Sequence, residues 1–141
     1  MKLLLFVLAL LANAGSALYA QCQGKLNLTA SNTEYLDSAG TIQKIVPEKT
    51  VVTITSAEIN IAPGYSSPMT GTILSSTCSW KIPFKEGKSV IKTLLTDESG
   101  DKKDVTFTIE GKDGKITFFA EVKDMPNKKI RLTADTFLEK K

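Results

Sequence analysis

The chain has 141 residues, with 18 lysine and arginine and 15 aspartate and glutamate side chains, for a net charge of +3. It contains no histidine, which excludes Ser-His-Asp and Cys-His catalytic sites and the histidine-based zinc and iron sites. Charges of both signs are interspersed, as on an ordinary soluble protein, and form no basic patch of the kind that binds nucleic acid. We therefore expect no nucleic-acid partner, no metal and no cofactor.

The N-terminal residues have the pattern of a secretory signal peptide. An apolar run follows Lys2, and small residues follow that run. The run is shorter than the roughly 20 apolar residues that a membrane-spanning helix needs. We predict a signal peptide at residues 1–20, cleaved after Ala17 or Ala20. The mature domain, residues 21–141, is then periplasmic or extracellular and has no integral membrane segment.

Two cysteines, Cys22 and Cys78, lie in the predicted mature domain. In an oxidising compartment an even count predicts one disulfide, with two free thiols as the alternative. Cys22 also resembles the first residue of a lipoprotein. Lipoprotein processing prefers a small residue before the cysteine, and Gln21 is not small, so lipid anchoring is disfavoured.

From Gly24 onward, apolar residues recur at every second position. The alternating runs lie at 26–30, 52–61, 78–84, 105–109, 116–122 and 130–132. Successive side chains of a strand point to opposite faces, so this period indicates strands with one buried and one wet face. Ser31 and Glu34 have the spacing of a capping box, which would allow a short helical turn at residues 32–37.

Turn sequences separate these runs at intervals typical of an all-β domain. They lie at 37–40, 85–88, 97–101, 111–114 and 124–127, and a charge-free irregular stretch spans 63–71. We predict one all-β domain, an antiparallel up-and-down meander of about eight or nine strands. A closed barrel is the preferred architecture because closure removes exposed strand edges, and a β-sandwich is the alternative.

This layout resembles the lipocalin-like, or calycin, domains of secreted bacterial proteins. The resemblance rests on the signal peptide, on two short strands meeting at a tight turn within residues 50–61, and on the closing segment 104–137. It implies a barrel that encloses a small ligand. The chain departs from the family's Gly-x-Trp motif, since Leu26 stands where the tryptophan would be.

Six residues are candidate ligand contacts. Four aromatic side chains lie on the predicted inner faces and two further residues on the charge-free loop: Trp80, Phe84, Phe107 and Phe118, then Tyr65 and Met69. The simpler interpretation of the four aromatics is that they fill the core. Phe119 is predicted to point outward, either packed under a loop or as part of a contact patch.

The predicted function is a non-catalytic, secreted or periplasmic binding module for a small apolar or amphipathic ligand. The alternative is a protein-interaction or inhibitor module of the cell envelope, with another secreted or envelope protein as its partner. All acidic residues are predicted to lie in turns or on the polar faces of strands, and no enzyme activity is therefore expected. The acidic cluster at 97–104 is interpreted as a solvated turn, not a calcium site.

Overall fold

The structure, a computed structural model, describes residues 24–140. The predicted signal peptide and Cys22 lie outside these residues. Eight strands follow one another in the described part of the chain: β1 (Leu26–Leu36), β2 (Ile42–Ile54), β3 (Glu58–Ala62), β4 (Met69–Ile82), β5 (Glu86–Thr96), β6 (Lys102–Lys112), β7 (Lys115–Val122) and β8 (Lys129–Glu139).

Each strand pairs antiparallel with the next, and β1 also pairs with β8, which closes the sheet into a barrel. Leu26 illustrates the closure, since its register partners are Ile54 on β2 and Glu139 on β8. The predicted all-β meander and its closed barrel are confirmed, with eight strands. Within residues 24–140, no helix has the length and apolar character needed to cross a membrane.

The barrel interior is filled along most of its length by the side chains of the predicted alternation. Leu28, Val52, Ile59, Phe107 and Ile109 are almost completely inaccessible to solvent. They come from four different strands and form one core cluster. Burial of apolar surface at this single interior is the main stabilising term, at about 25 cal/mol per Å².

Local details differ from the sequence expectations in two places. Residues 32–37 form no helical turn, because residues up to Leu36 continue β1 and pair with both neighbouring strands. The turn predicted at 85–88 lies slightly earlier, and β5 begins at Glu86. An irregularity in the pairing follows Trp80, so Ile82 is exposed instead of continuing the inner face.

The shortest strand, β3, makes the barrel wall uneven. It pairs with only the last part of β2 and the first part of β4. Pro47 on the remaining part of β2 lacks an N–H, a common device on unpaired edges. The β3–β4 loop covers the adjoining part of this edge. A Cβ on Gly64 would lie only 3.1 Å from the Lys49 carbonyl oxygen, so the loop approaches the strand closely.

Candidate functional site

The two ends of the barrel differ in construction. In an antiparallel meander, alternate loops fall at the same end. The loops at 37–41, 63–68, 97–101 and 123–128 therefore surround one end, which we call the open end. The shorter turns at 55–57, 83–85 and 113–114 lie at the opposite, closed end.

A cavity of about 260 Å³ lies inside the barrel at the open end. Its deeper wall is apolar. Phe107 and Phe118 are stacked there with ring centroids 5.2 Å apart, and both are buried. The other apolar lining residues come from several strands and two loops: Ile61, Pro63, Met69, Leu95, Val105, Ala120, Val122, Met125, Ile130 and Leu132. Such a wall suits an apolar ligand body.

Glu48 introduces a carboxyl group into this apolar wall. It is 8% exposed and is the one charged side chain among the buried residues of the described chain. The Thr33 hydroxyl donates to Glu48 Oε1 over 2.9 Å, and the Tyr65 backbone N–H donates to Oε2 over 3.3 Å. These two neutral donors leave acceptor capacity on a group that has about four lone-pair sites.

Thr50 is the second polar group of the wall. It lies two residues after Glu48 on β2, and thus on the same face of the strand. The side chain is 2% exposed, and no protein atom of residues 24–140 makes a hydrogen bond to its Oγ1. A buried hydroxyl without a partner costs about 1–3 kcal/mol. Thr50 therefore offers an unused donor and acceptor at the cavity.

The rim of the cavity carries charges of both signs. Lys103 Nζ lies 3.9 Å from Asp97 Oδ2 and the same distance from Met125 Sδ. The Ser99 hydroxyl and backbone N–H groups of Ser99 and Asp101 donate to the Asp97 carboxylate, and this hydrogen bonding holds its pKa below the ordinary value. The rim thus pairs one cation with one anion.

The closed end is packed with aromatic side chains. Phe137 lies 6.0 Å from Trp80 and 5.1 Å from Phe84 between ring centroids. The indole N–H of Trp80 donates to Ser89 Oγ over 2.8 Å, so its buried polar atom is satisfied. A Cβ on Gly87, directly across from Trp80, would lie 2.5 Å from the Trp80 Cα, so only glycine fits there.

The structure places the six candidate ligand contacts in three different parts of the barrel. Phe107, Phe118 and Met69 line the open-end cavity. Trp80 and Phe84 belong to the closed end and do not line it. Tyr65 is 80% exposed beside the opening, where its backbone and not its ring reaches Glu48.

Phe119 faces outward, as predicted, but it is partly covered. It is half-buried, and the Lys129 ammonium lies 5.9 Å from its ring centroid. Most of the acidic cluster at 97–104 lies in the β5–β6 turn, where Asp97 accepts hydrogen bonds from its own loop, whereas Asp104 lies on β6. Within residues 24–140, no group of three or more acidic or cysteine side chains is arranged to hold a metal ion.

The expectation that every acidic residue lies in a turn or on a polar face is wrong for Glu48. Its carboxyl group points into the barrel because Glu48 has the same strand parity as Val52 and Ile54, two residues of the predicted core. Thr33 and Thr50 were also missed as interior polar groups. The period-two pattern of β2, extended backward from Val52, was the signal that could have found Glu48 and Thr50.

A second cavity, of about 270 Å³, opens through the barrel wall where β4 continues beyond β3. Gly24 and Cys78 both line it, together with Ser89 and Ile91. The Ser89 hydroxyl donates to Cys78 Sγ over 3.6 Å. The start of the described chain therefore lies near Cys78.

Comparisons with family models, curated proteins and solved structures find no match for this chain. Its likeness to lipocalins therefore consists of the eight-stranded antiparallel closed barrel.

Proposed function

We propose that this protein is a non-catalytic binding module that holds a small apolar or amphipathic molecule in the open-end cavity. The supporting observation is the apolar cavity of about 260 Å³ inside the barrel, next to the core cluster of buried side chains. An eight-stranded barrel is just wide enough for its side chains or for one small ligand. In this proposal the barrel is lipocalin-like in function as well as in shape.

The volume of the cavity limits the size of the ligand. A water molecule occupies about 30 Å³ in the liquid, so the cavity corresponds to about nine such volumes. We therefore expect a ligand of about that number of non-hydrogen atoms, because the cavity volume lies just below the usual range for small-molecule sites. Much longer acyl chains or fused-ring lipids would have to project beyond the loops.

Calorimetric titration with octanol, octylamine and octanoate tests the proposal, together with amide chemical shifts that locate the binding. We expect saturable binding by at least one of them, with shifts at residues around Phe118 and Met69. Fluorescence of Trp80 is a poor reporter, because this residue lies at the closed end.

Ala120→Leu tests whether the ligand occupies this cavity, because Ala120 is a small residue on the cavity wall. The larger side chain should occupy the cavity and weaken binding by at least about tenfold, a change of about 1.4 kcal/mol. Ala57→Leu, at an exposed closed-end turn, should bind as the unaltered protein does. Equal binding by all three proteins would place the ligand elsewhere and refute the proposal.

We also propose that the chain is exported and that Cys22 and Cys78 form a disulfide. The position of Gly24 supports the disulfide, because Gly24 lines the same cavity as Cys78. Cys22 precedes Gly24 by two residues, which span at most about 7 Å of extended chain. The bridge would close a long loop, for which the chain-entropy model gives about 4 kcal/mol of stabilisation, less any strain.

Mass measurement tests both features on protein recovered from the exported fraction. The N-terminal residue should be Leu18 or Gln21, and the non-reduced mass should be about 2 Da below the reduced mass because each bridge replaces two S–H bonds. Cys22→Ser should abolish this difference. An unprocessed N-terminus would contradict export, and equal masses would contradict the disulfide.

A protein-interaction role is the second candidate function, and the exposed apolar residues of the open end favour it. Tyr65 projects from the charge-free loop, and Ile42 and Ile45 are exposed on the extension of β2. Crosslinking in the exported fraction should then capture one partner with the unaltered protein and lose it with Tyr65→Ser. Recovery of no partner, or of the same partner with Tyr65→Ser, would count against this role.

A further inference from the structure

We propose that the ligand of the open-end cavity is a primary amine, with an ammonium group that binds Glu48 and an apolar body that packs against Phe107 and Phe118. This inference rests on the proposed binding function and deepens it by naming the chemical class of the ligand. It depends on three properties of the cavity in the described part of the chain: a buried acid without a cationic partner, a hydroxyl without a hydrogen-bond partner, and a rim whose charges are already paired.

Glu48 lacks a cationic partner within the described chain. Four ion pairs occur in residues 24–140, and none of them includes Glu48. Its two donors, the Thr33 hydroxyl and the Tyr65 N–H, are neutral. A buried carboxylate is stabilised most strongly by a hydrogen-bonded cation, so a ligand ammonium supplies the charge that the protein leaves out.

Thr50 supplies a second contact for the same head group. Thr50 lines the cavity two residues along β2 from Glu48, and its buried Oγ1 has no hydrogen-bond partner within residues 24–140. An ammonium has three N–H donors, and both the Glu48 carboxylate and the Thr50 hydroxyl can accept one. An alcohol can also contact both groups, by donating to the carboxylate and accepting from the Thr50 hydroxyl, but only the amine adds the positive charge that strengthens the hydrogen bond to Glu48.

The rim does not favour an anionic ligand. Among residues 24–140, Lys103 is the only basic residue that lines the cavity, and its ammonium is next to the Asp97 carboxylate. Hydrogen bonds lower the Asp97 pKa further below its ordinary value of 3.8, and this carboxylate is anionic at neutral pH. The cavity as a whole is thus lined by two acidic groups and one basic group, which disfavours a carboxylate head.

The deeper wall provides the matching apolar contact. Phe107 is 1% and Phe118 2% exposed, and Ala120, Leu132 and Ile61 extend the same surface. The polar head and the apolar body therefore have separate contacts within one cavity of limited volume. This arrangement fits an alkyl or arylalkyl amine of about nine non-hydrogen atoms, given about 30 Å³ for each.

Octylamine, octanol and octanoate distinguish the head groups because they share one chain. We expect octylamine to bind the unaltered protein at least about tenfold more tightly than octanol, and octanoate to bind most weakly. Glu48→Gln should remove the preference, lowering octylamine affinity by at least about tenfold while octanol affinity changes by less than about threefold. Glu58→Gln removes the same charge at an exposed closed-end position and should leave all three affinities unchanged.

If Glu48→Gln does not fold, the affinities of the unaltered protein for the three probes still test the inference. Equal affinity for octylamine and octanol, or tighter binding of octanoate, would overturn the amine assignment and leave the binding function standing. A preference for octylamine that survives Glu48→Gln would overturn the role of Glu48. Absence of binding by all three probes would instead refute the proposed function itself.

Discussion

The same alternation of inward-facing side chains gives aromatic packing at the closed end of the barrel and a cavity with polar groups at the open end. At the closed end, Trp80, Phe84 and Phe137 pack against one another, and the one buried N–H among them donates to Ser89. At the open end, the interior ends in a cavity with Glu48 and an unpartnered Thr50 hydroxyl. The buried polar N–H at the closed end is therefore paired, whereas the open end retains polar groups that stability alone would not favour.

Truncation of Trp80 should lower the free energy of unfolding far more than truncation of an aromatic residue at the open end. Trp80→Ala removes a buried side chain and leaves a cavity, and we expect a loss of about 3–5 kcal/mol in the free energy of unfolding. Tyr65→Ala at the open end removes an exposed ring and should change it by less than about 0.5 kcal/mol. Urea denaturation measures both. Similar losses would mean that the Tyr65 ring contributes packing that its exposure does not indicate.

Substitution of two buried threonines should change the free energy of unfolding by an intermediate amount. Thr93 is 1% exposed and donates to the Val105 carbonyl oxygen over 3.0 Å, whereas Thr50 is buried without a partner. Thr93→Val should destabilise the protein by about 1 kcal/mol, because it leaves that carbonyl without its side-chain donor. Thr50→Val should stabilise it by about 1 kcal/mol, because the unpartnered hydroxyl is replaced by a methyl group. Thermal unfolding of the two variants without added ligand measures the contrast. Destabilisation by Thr50→Val would show that the Thr50 hydroxyl is satisfied in solution, and would weaken its assignment to a ligand.

The smallest expected effect concerns Asp97 at the rim. Its pKa in the folded protein is lowered from 3.8 chiefly by the Ser99 hydroxyl, so the ionised carboxylate favours the folded state. This contribution is present above the unfolded-state value and is lost as the pH falls through the lower folded-state value. Asp97→Asn should therefore be less stable than the unaltered protein at neutral pH, with the gap closing in acid. A gap that persists or widens in acid would contradict a stabilising role for the charge.

Part of the site could be predicted from the sequence. The strand periodicity placed Phe107 and Phe118 on the inner face, and the charge-free loop placed Met69 near an opening, although the same reasoning also selected Trp80 and Phe84. All four aromatics have equivalent local patterns. Their separation into two ends depends on where each strand position lies along the barrel axis, which a local pattern does not contain.

The all-β meander follows from local sequence, since alternation of apolar and polar residues specifies strands whose shared inner face must be covered. Local sequence also contained the orientation of Glu48, because this residue lies an even number of positions before Val52. The absence of a cationic partner for Glu48 among residues 24–140, and its position at a cavity, became visible in the folded barrel. That outcome depends on the Thr33 hydroxyl of β1 and the Tyr65 backbone N–H of the β3–β4 loop, which donate to Glu48, and on the closure of β1 on β8, which brings distant strands around one cavity.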